Sequence, residues 1–528
     1  MEEKSDLSAM QLHYRLVAGL KRWLSAQSAC GRVELIETHI STVILSGLFA
    51  YKIKKPLDLG FLDFSTLERR RFCCEEEVRL NRRLAPDVYL DAVSITGTPD
   101  FPTIATQGPV IEYAVRMRRF IEGTLLSDRP ECLNETLADE LAYQLAGFHA
   151  SIGLQAAIPA YGRPEQVLLP MQQNFDQIRS FSSEFDAKLS PLQAWTLEAY
   201  ARLEQRLGER RTEGFIRECH GDLHLGNIVV EGGRLILFDG IEFNPGLRWI
   251  DTISELAFLL MDIEEKGQFS IAWRVLNSYL KISGDYRGLA VLRFYQLYRA
   301  MVRAKVIAIR MHQSDVSGDE MGVLRQEFSV YLDNARRYTR STSPSLLIAH
   351  GLSGSGKSTF CSELMMHLPA VRIQSDVERK RLAGLDALSD SGSSRMSGIY
   401  TDEFGRKTYD YLLSLTQSVL QAGYTVIVDA AFLKSSQRRR FSALASERKL
   451  PFVILDFPVP HEELRRRVAA RKQLGSDPSE AGVAVLNGQI ASVENLTEAE
   501  RKNSMVVNQN PSEKSDLVNR IQCRLGGR

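Results

Sequence analysis

Eight consecutive residues, Gly351-Leu352-Ser353-Gly354-Ser355-Gly356-Lys357-Ser358, constrain the fold of this chain more than any other feature. They follow the apolar run LLIAH and precede a helical pattern, so a strand must turn directly into a helix across them. Glycines at these positions let successive backbone N–H groups converge on an anion at the helix N-terminus, where the dipole also favours negative charge. The spacing GxxxxGK[ST] in this context marks a polyphosphate cradle. Gly351, Ser353, Gly354, Ser355 and Gly356 supply its backbone, Lys357 reaches the β/γ oxygens, Ser358 offers a hydroxyl to Mg²⁺, and Thr359 touches the α-phosphate.

The surroundings agree with that turn. AVRIQS, TVIVDA and FVILDF are short β-branched runs alternating with helical patterns, which predicts a parallel sheet with right-handed crossovers: an α/β P-loop domain over 346–528. Asp429, near the end of TVIVDA, is placed either as an acid for the metal's water shell or as an ordinary strand-end cap. Arg467 and Arg471 stand four apart on one helix face, suited to a lid over the transferring phosphoryl group, with RKQLGSDPSEAG as its loop. Arg465, Arg466 and Lys472 read instead as a solvated basic face. In IQSDVERKR, the pair Asp376 and Arg379 resembles the Asp-x-x-Arg of polynucleotide 5′-kinases and the zeta-toxin group. That resemblance implies that Asp376 activates an acceptor hydroxyl and Arg379 grips the acceptor.

A second, unrelated constellation lies upstream. In HGDLHLGN, Asp222 and Asn227 stand five apart, and Asp239 follows in LILFDGIEF, twelve residues beyond Asn227. An acid, an amide and a second acid in this order suit a phosphotransferase: Asp222 takes a hydroxyl proton, while Asn227 and Asp239 give Mg²⁺ one neutral and one charged oxygen. FAYKIKK places Ala50, Lys52 and Lys54 on one strand face. Phe49-Ala50-Tyr51-Lys52 resembles the Val-Ala-Ile-Lys of a kinase third strand, which implies that Lys52 reaches the α/β phosphates, with Lys54 open as the alternative. The same resemblance implies Glu77 in CCEEEVRLN as the lysine's ion-pair partner, with Glu76 as runner-up, and Met117, ending VIEYAVRM, beside the adenine.

HGDLHLGN followed by FDGIEF resembles the aminoglycoside phosphotransferases and related small-molecule kinases, whose loop reads His-Gly-Asp-Leu-His-x-x-Asn. The resemblance implies an α+β protein-kinase-like domain over 1–340, with Asp251 as a buried acid bracing the catalytic loop and His220 orienting it. No GxGxxG precedes Lys52; the turn there is ETHIST, and Ser41 and Thr42 are the candidates to cover the phosphates. His149 and His224 read as packing residues. The Ser/Pro segment 341–345 cannot continue a helix and is read as the linker. The two halves together resemble bacterial fusions of an aminoglycoside-phosphotransferase-like kinase with a small P-loop kinase.

Composition narrows the partners. The 528 residues are 44% hydrophobic and 25% charged, with a formal charge of +1, so no global basic field advertises nucleic acid. No apolar run of membrane-spanning length occurs, the first ten residues lack the pattern of a signal peptide, and seven cysteines form no CxxC pair; a cytoplasmic protein is expected. Cys219, beside His220, reads as a buried thiol, and SDSGSS at 389–394 as a flexible loop. The primary expectation is an enzyme with two ATP- and Mg²⁺-dependent sites acting on small-molecule hydroxyl acceptors, aminoglycoside-like or another metabolite at the N-terminal site. A nucleotide-regulated switch, or a nucleic-acid end kinase built on the C-terminal domain, are the alternatives. The sequence carries no reading of oligomeric state.

Overall fold

The computed structural model describes residues 2–27, 33–60, 62–105, 107–153, 161–181, 183–313, 316–386, 401–474, 482–508 and 514–526. The SDSGSS segment, most of the loop after Leu474 and the side chain of Arg471 lie outside the described residues. Backbone contacts group the chain into two units, residues 1–137, 147–174 and 204–266 in one, and 138–146, 175–203 and 267–528 in the other.

In the first unit β1 (Val33–Glu37), β2 (Ser41–Ser46), β3 (Phe49–Lys54), β4 (Tyr89–Thr98), β5 (Phe101–Ile104) and β6 (Val110–Arg118) form one sheet, ordered β1-β2-β3-β6-β4-β5. All its pairings are antiparallel. Alternation along β3 divides its side chains between the two faces. Tyr51 and Ile53 pack with Leu16, Leu20 and Leu24 of the N-terminal helix Glu2–Gln27. Ala50 faces the other way, with Met117, Val115 and Cys74 and Val78 of the helix Leu67–Asn81. Strands β4 and β5 carry no clean sequence signal. Most of β4 is only half-buried, and its ladder with β6 shifts register at Tyr89/Asp91 and Ile95/Thr96, which breaks the period of two.

Two short antiparallel pairs complete this unit: β7 (Ile216–Glu218) with β10 (Trp249–Asp251), and β8 (Ile228–Glu231) with β9 (Arg234–Leu237). The HGD loop runs between β7 and β8, and the helix Thr252–Glu265, buried along most of its length, follows β10.

In the second unit β11 (Leu346–His350), β12 (Ala370–Gln374), β13 (Thr425–Asp429), β14 (Phe452–Asp456) and β15 (Ser504–Val506) form a five-stranded parallel sheet. Its order is β12-β13-β11-β14-β15, with β11 at the centre and β12 and β15 at the edges. The three-residue β15 is too short for periodicity to reveal. The β12 edge is covered by a side chain: Asn277 donates to Ala370 O (3.0 Å) and accepts from Arg372 N (2.7 Å), pairing with that edge as a strand would. Helices Phe269–Ser283, Leu289–Met311 and Gly318–Tyr338 belong to this unit. Among the described residues no helix is long and apolar enough to cross a membrane.

Candidate active sites

The first site is assembled around a buried ionic cluster. Lys52 Nζ lies 2.9 Å from Glu77 Oε1 and also pairs with Asp239; Lys54 Nζ lies 2.7 Å from Glu77 Oε2 and also pairs with Glu242. Two ammonium groups thus meet three carboxylates. Burial works against the charge on both lysines, but the facing carboxylates outweigh it and raise both. Burial likewise pushes Glu77 up, and Lys52 and Lys54 more than offset it, holding the carboxyl well below its ordinary value. Glu242, where burial prevails over Lys54, is raised.

The lysines are not equivalent. Lys54 is fully buried, 4.9 Å over the Phe64 ring, whereas Lys52 shares Asp239, whose side chain is 41% exposed. Only Lys52 therefore borders the open side of the cluster. Glu76, the runner-up, instead pairs with Arg79 and Arg248. In the ladder Ala50 stands opposite Met117, both buried.

Asp239 adopts a left-handed backbone (φ 64°), which a non-glycine residue holds only when its neighbours enforce it. Tyr89 and Asn81 enforce it. Asp239 N–H donates to Tyr89 Oη (3.0 Å), and Gly240 N–H donates to Asn81 Oδ1 (2.7 Å), while Asn81 Nδ2 returns to Glu77 O (2.9 Å). His220 joins this turn to the HGD loop, donating from Nε2 to Phe238 O (2.8 Å) and accepting through its own carbonyl from Ile241 N (2.9 Å). An orienting role for His220, expected from the resemblance, fits these bonds.

The HGD loop itself is gripped from the helix Thr252–Glu265. Gly221 N–H donates to Glu255 Oε2 (2.7 Å) and Leu225 N–H to Asp262 Oδ2 (2.8 Å). Gly221 has φ 88°, and a Cβ there would come within 2.9 Å of Leu247 O, so glycine is required. Asn227 Nδ2 donates to Asp222 O (2.9 Å) and Oδ2 (3.2 Å), which turns its Oδ1 away as the remaining acceptor. Hard oxygen donors from Asn227 and Asp239 suit Mg²⁺.

Several expectations need correction. Asp251 is buried, but it binds Arg210 through two bonds (2.6 and 2.8 Å) and caps Ile253 N (2.9 Å); Glu255 and Asp262 supply the brace expected of it. Ser41 and Thr42 are fully buried, with Thr42 Oγ1 3.0 Å from His13 Nε2, so neither covers phosphates. The turn before them is held instead by Lys55, which donates to Thr38 O (2.6 Å). His149 packs in the core as expected, but it also lies 3.0 Å from Glu255 and steadies that brace. Cys219 is buried, and burial pushes its thiol up.

The second site is local. Lys357 Nζ donates to Gly351 O (2.9 Å) and Leu352 O (2.8 Å) and lies 3.3 Å from Ser355 Oγ, folded across its own loop. Ser358 and Thr359 are exposed at the start of the helix Lys357–His367, and Gly356, with φ 83°, precedes it. Asp429 pairs with Arg372 on the adjacent strand (2.5 Å), a use that neither reading of it included. Arg379 lies 3.4 Å from Asp376 on the helix following the edge strand β12. Arg467 lies 2.6 Å from Glu463, and a Cβ on Gly354 would fall 3.8 Å from Arg467 Cβ, so this arginine starts beside the loop. Arg466 is largely exposed, as a solvated face requires.

Comparison with known proteins matches each half separately. Residues 74–293 match the phosphotransferase enzyme family, and residues 346–496 match an AAA domain family. The chain joins a phosphotransferase-like region to a P-loop region that matches an AAA domain family. The chain is 27% identical over 458 residues to an uncharacterized protein of Mycobacterium tuberculosis and to one of Mycobacterium bovis, covering 86% of this chain and 89% of each relative. Among solved structures, the amicoumacin kinase hAmiN is 17% identical and covers 58% of this chain and 89% of its own (TM-score 0.37). A sugar kinase from Janibacter is 20% identical and covers 35% of this chain and 95% of its own (TM-score 0.27).

Proposed function

We propose that the chain carries two Mg·ATP-dependent phosphotransferase sites, each passing a γ-phosphoryl group to a hydroxyl of a small-molecule acceptor. The functional division runs at 341–345, with 1–340 carrying the first site and 346–528 the second. The carrying observation is that Lys52, Glu77 and Asp239 meet in one cluster, and that Phe238 N–H, donating to Asn227 O (3.0 Å), ties the Asp239 turn to the loop where Asn227 binds Asp222. In the first site Asp222 orients the acceptor hydroxyl and takes its proton as the phosphoryl group leaves. Lys52 offsets charge on the α/β phosphates, and Ala50 and Met117 border the adenine. Asn227 Oδ1 and Asp239 are the oxygen donors for Mg²⁺, whose charge offsets that on the phosphoryl oxygens.

In the second site the Gly351–Ser358 loop holds the phosphates, Ser358 is the metal's hydroxyl ligand, and Asp429 supports its water shell. Asp376 is the base, Arg379 grips the acceptor, and Arg467 with Arg471 closes over the phosphoryl group. A polycationic acceptor at the first site is disfavoured, because Glu242 and Glu255 are spent internally on Lys54 and on His149 and Gly221. The test is ATP turnover with pooled metabolite acceptors in Asp222→Asn and Asp376→Asn. Each variant should lose transfer to a different acceptor set. Full transfer by either variant removes that residue as base.

A further inference from the structure

We propose that Gln489 is a nucleotide-contacting residue of the second site, reading the γ-phosphate. The inference rests on the Gly351–Ser358 loop being a nucleotide seat. Gln489 lies on the helix Val483–Ser492, more than a hundred residues beyond the loop in sequence. Its Oε1 accepts the Ser353 N–H at 2.9 Å. Leu486 and Ile490 of the same helix pack with Leu464, Val468 and the loop's own Leu352, so the helix is seated on the loop by apolar contact as well as by that bond.

The chemistry follows from the direction of the amide. A backbone N–H can only donate, so the carbonyl end of Gln489 is turned to Ser353 and the NH₂ end is turned away. The bond from Ser353 N–H to Oε1 is the one hydrogen bond of this side chain among the described residues. Lys357, whose ammonium belongs to the β/γ oxygens, rests on the carbonyls of Gly351 and Leu352, directly before Ser353. The amide is therefore anchored at the end of the loop where the terminal phosphate sits, with two N–H donors left for an anion. A neutral donor there distinguishes a triphosphate from a diphosphate without adding charge.

Binding of Mg·ADP and Mg·AMP-PNP to the full chain tests this by calorimetry, the second-site event being the one that Lys357→Ala removes. Gln489→Leu should weaken Mg·AMP-PNP about tenfold and Mg·ADP less than about twofold, the worth of a hydrogen bond to a charged group. Gln489→Glu keeps an acceptor for Ser353 but faces the phosphate with a carboxylate, and should weaken Mg·AMP-PNP further while sparing Mg·ADP. Equal weakening of both nucleotides in Gln489→Leu means that Gln489 only holds the loop, and no change in either means it has no part; both overturn the proposal. If Lys357→Ala removes no binding event, the loop is not a nucleotide seat, and the reading beneath the proposal falls with it.

Discussion

The two proposed sites meet one electrostatic problem in opposite ways. The second uses eight consecutive residues, whose backbone amides and one lysine are proposed to form the phosphate seat within a single turn of chain. The first uses side chains alone, with Lys52 from β3, Glu77 from a helix and Asp239 from a turn 187 positions beyond the lysine. A backbone cradle needs glycine and a helix start, and little else. A side-chain cradle needs buried counter-charges for the charges it holds, and Lys54, which pairs with both Glu77 and Glu242, supplies one. The first site should therefore be costly to perturb in stability as well as in activity, the second in activity only.

The largest effect should come from the base. Asp222→Asn is expected to lower first-site transfer by about 10³-fold, within the range for a positioned general base, with second-site transfer unchanged. Parallel loss at both sites in a transfer assay would break the comparison. Next comes Lys54→Met, which leaves Glu242 and one oxygen of Glu77 buried without a cation. A loss of about 3 kcal/mol in denaturant unfolding is expected, against no measurable loss for Lys357→Met, whose ammonium is only partly buried. Equal stability of the two variants contradicts the contrast.

His13 offers a smaller effect that depends on pH. Burial lowers its pKa from 6.5 to about 4. Because the folded value lies below the unfolded one, the protein binds fewer protons than its unfolded chain between these values. Stability is then complete above about pH 6.5 and declines as pH falls towards 4, by on the order of 2–3 kcal/mol. His13→Gln should flatten that slope, and an unchanged slope in urea melts at several pH values would remove His13 as its source. The smallest effect is at the loop's brace. Glu255→Gln keeps an acceptor for Gly221 N–H but weakens the pairing with His149, and should lower first-site kcat about tenfold with KM nearly constant. A KM effect alone would place Glu255 in binding rather than in positioning Asp222.

The contrast also governs how much could be read from sequence. The P-loop, its parallel strands and the residues at their ends were legible because each signal is local. In the first site spacing singled out the candidate groups Asp222, Asn227 and Asp239, but not the residues that hold their loops. Tyr89 and Asn81 hold the Asp239 turn, and Glu255 and Asp262 hold the HGD loop, through backbone groups that any acceptor of the right reach could satisfy. Nothing in their local pattern sets them apart from core residues. Asp251 misled for the same reason: a buried acid after the loop is easily assigned to it, and only the position of Arg210 decides otherwise. The choice between Lys52 and Lys54 likewise depended on burial, which alternation along β3 makes equal in sequence. Gln489 escaped because its partner lies across the fold.

Counting nucleotides tests the central claim most directly. Calorimetric titration of the full chain with AMP-PNP at saturating Mg²⁺ should give two molecules bound per chain, one lost in Asp239→Ala and the other in Lys357→Ala. A stoichiometry of one, or both variants removing the same event, would contradict the account.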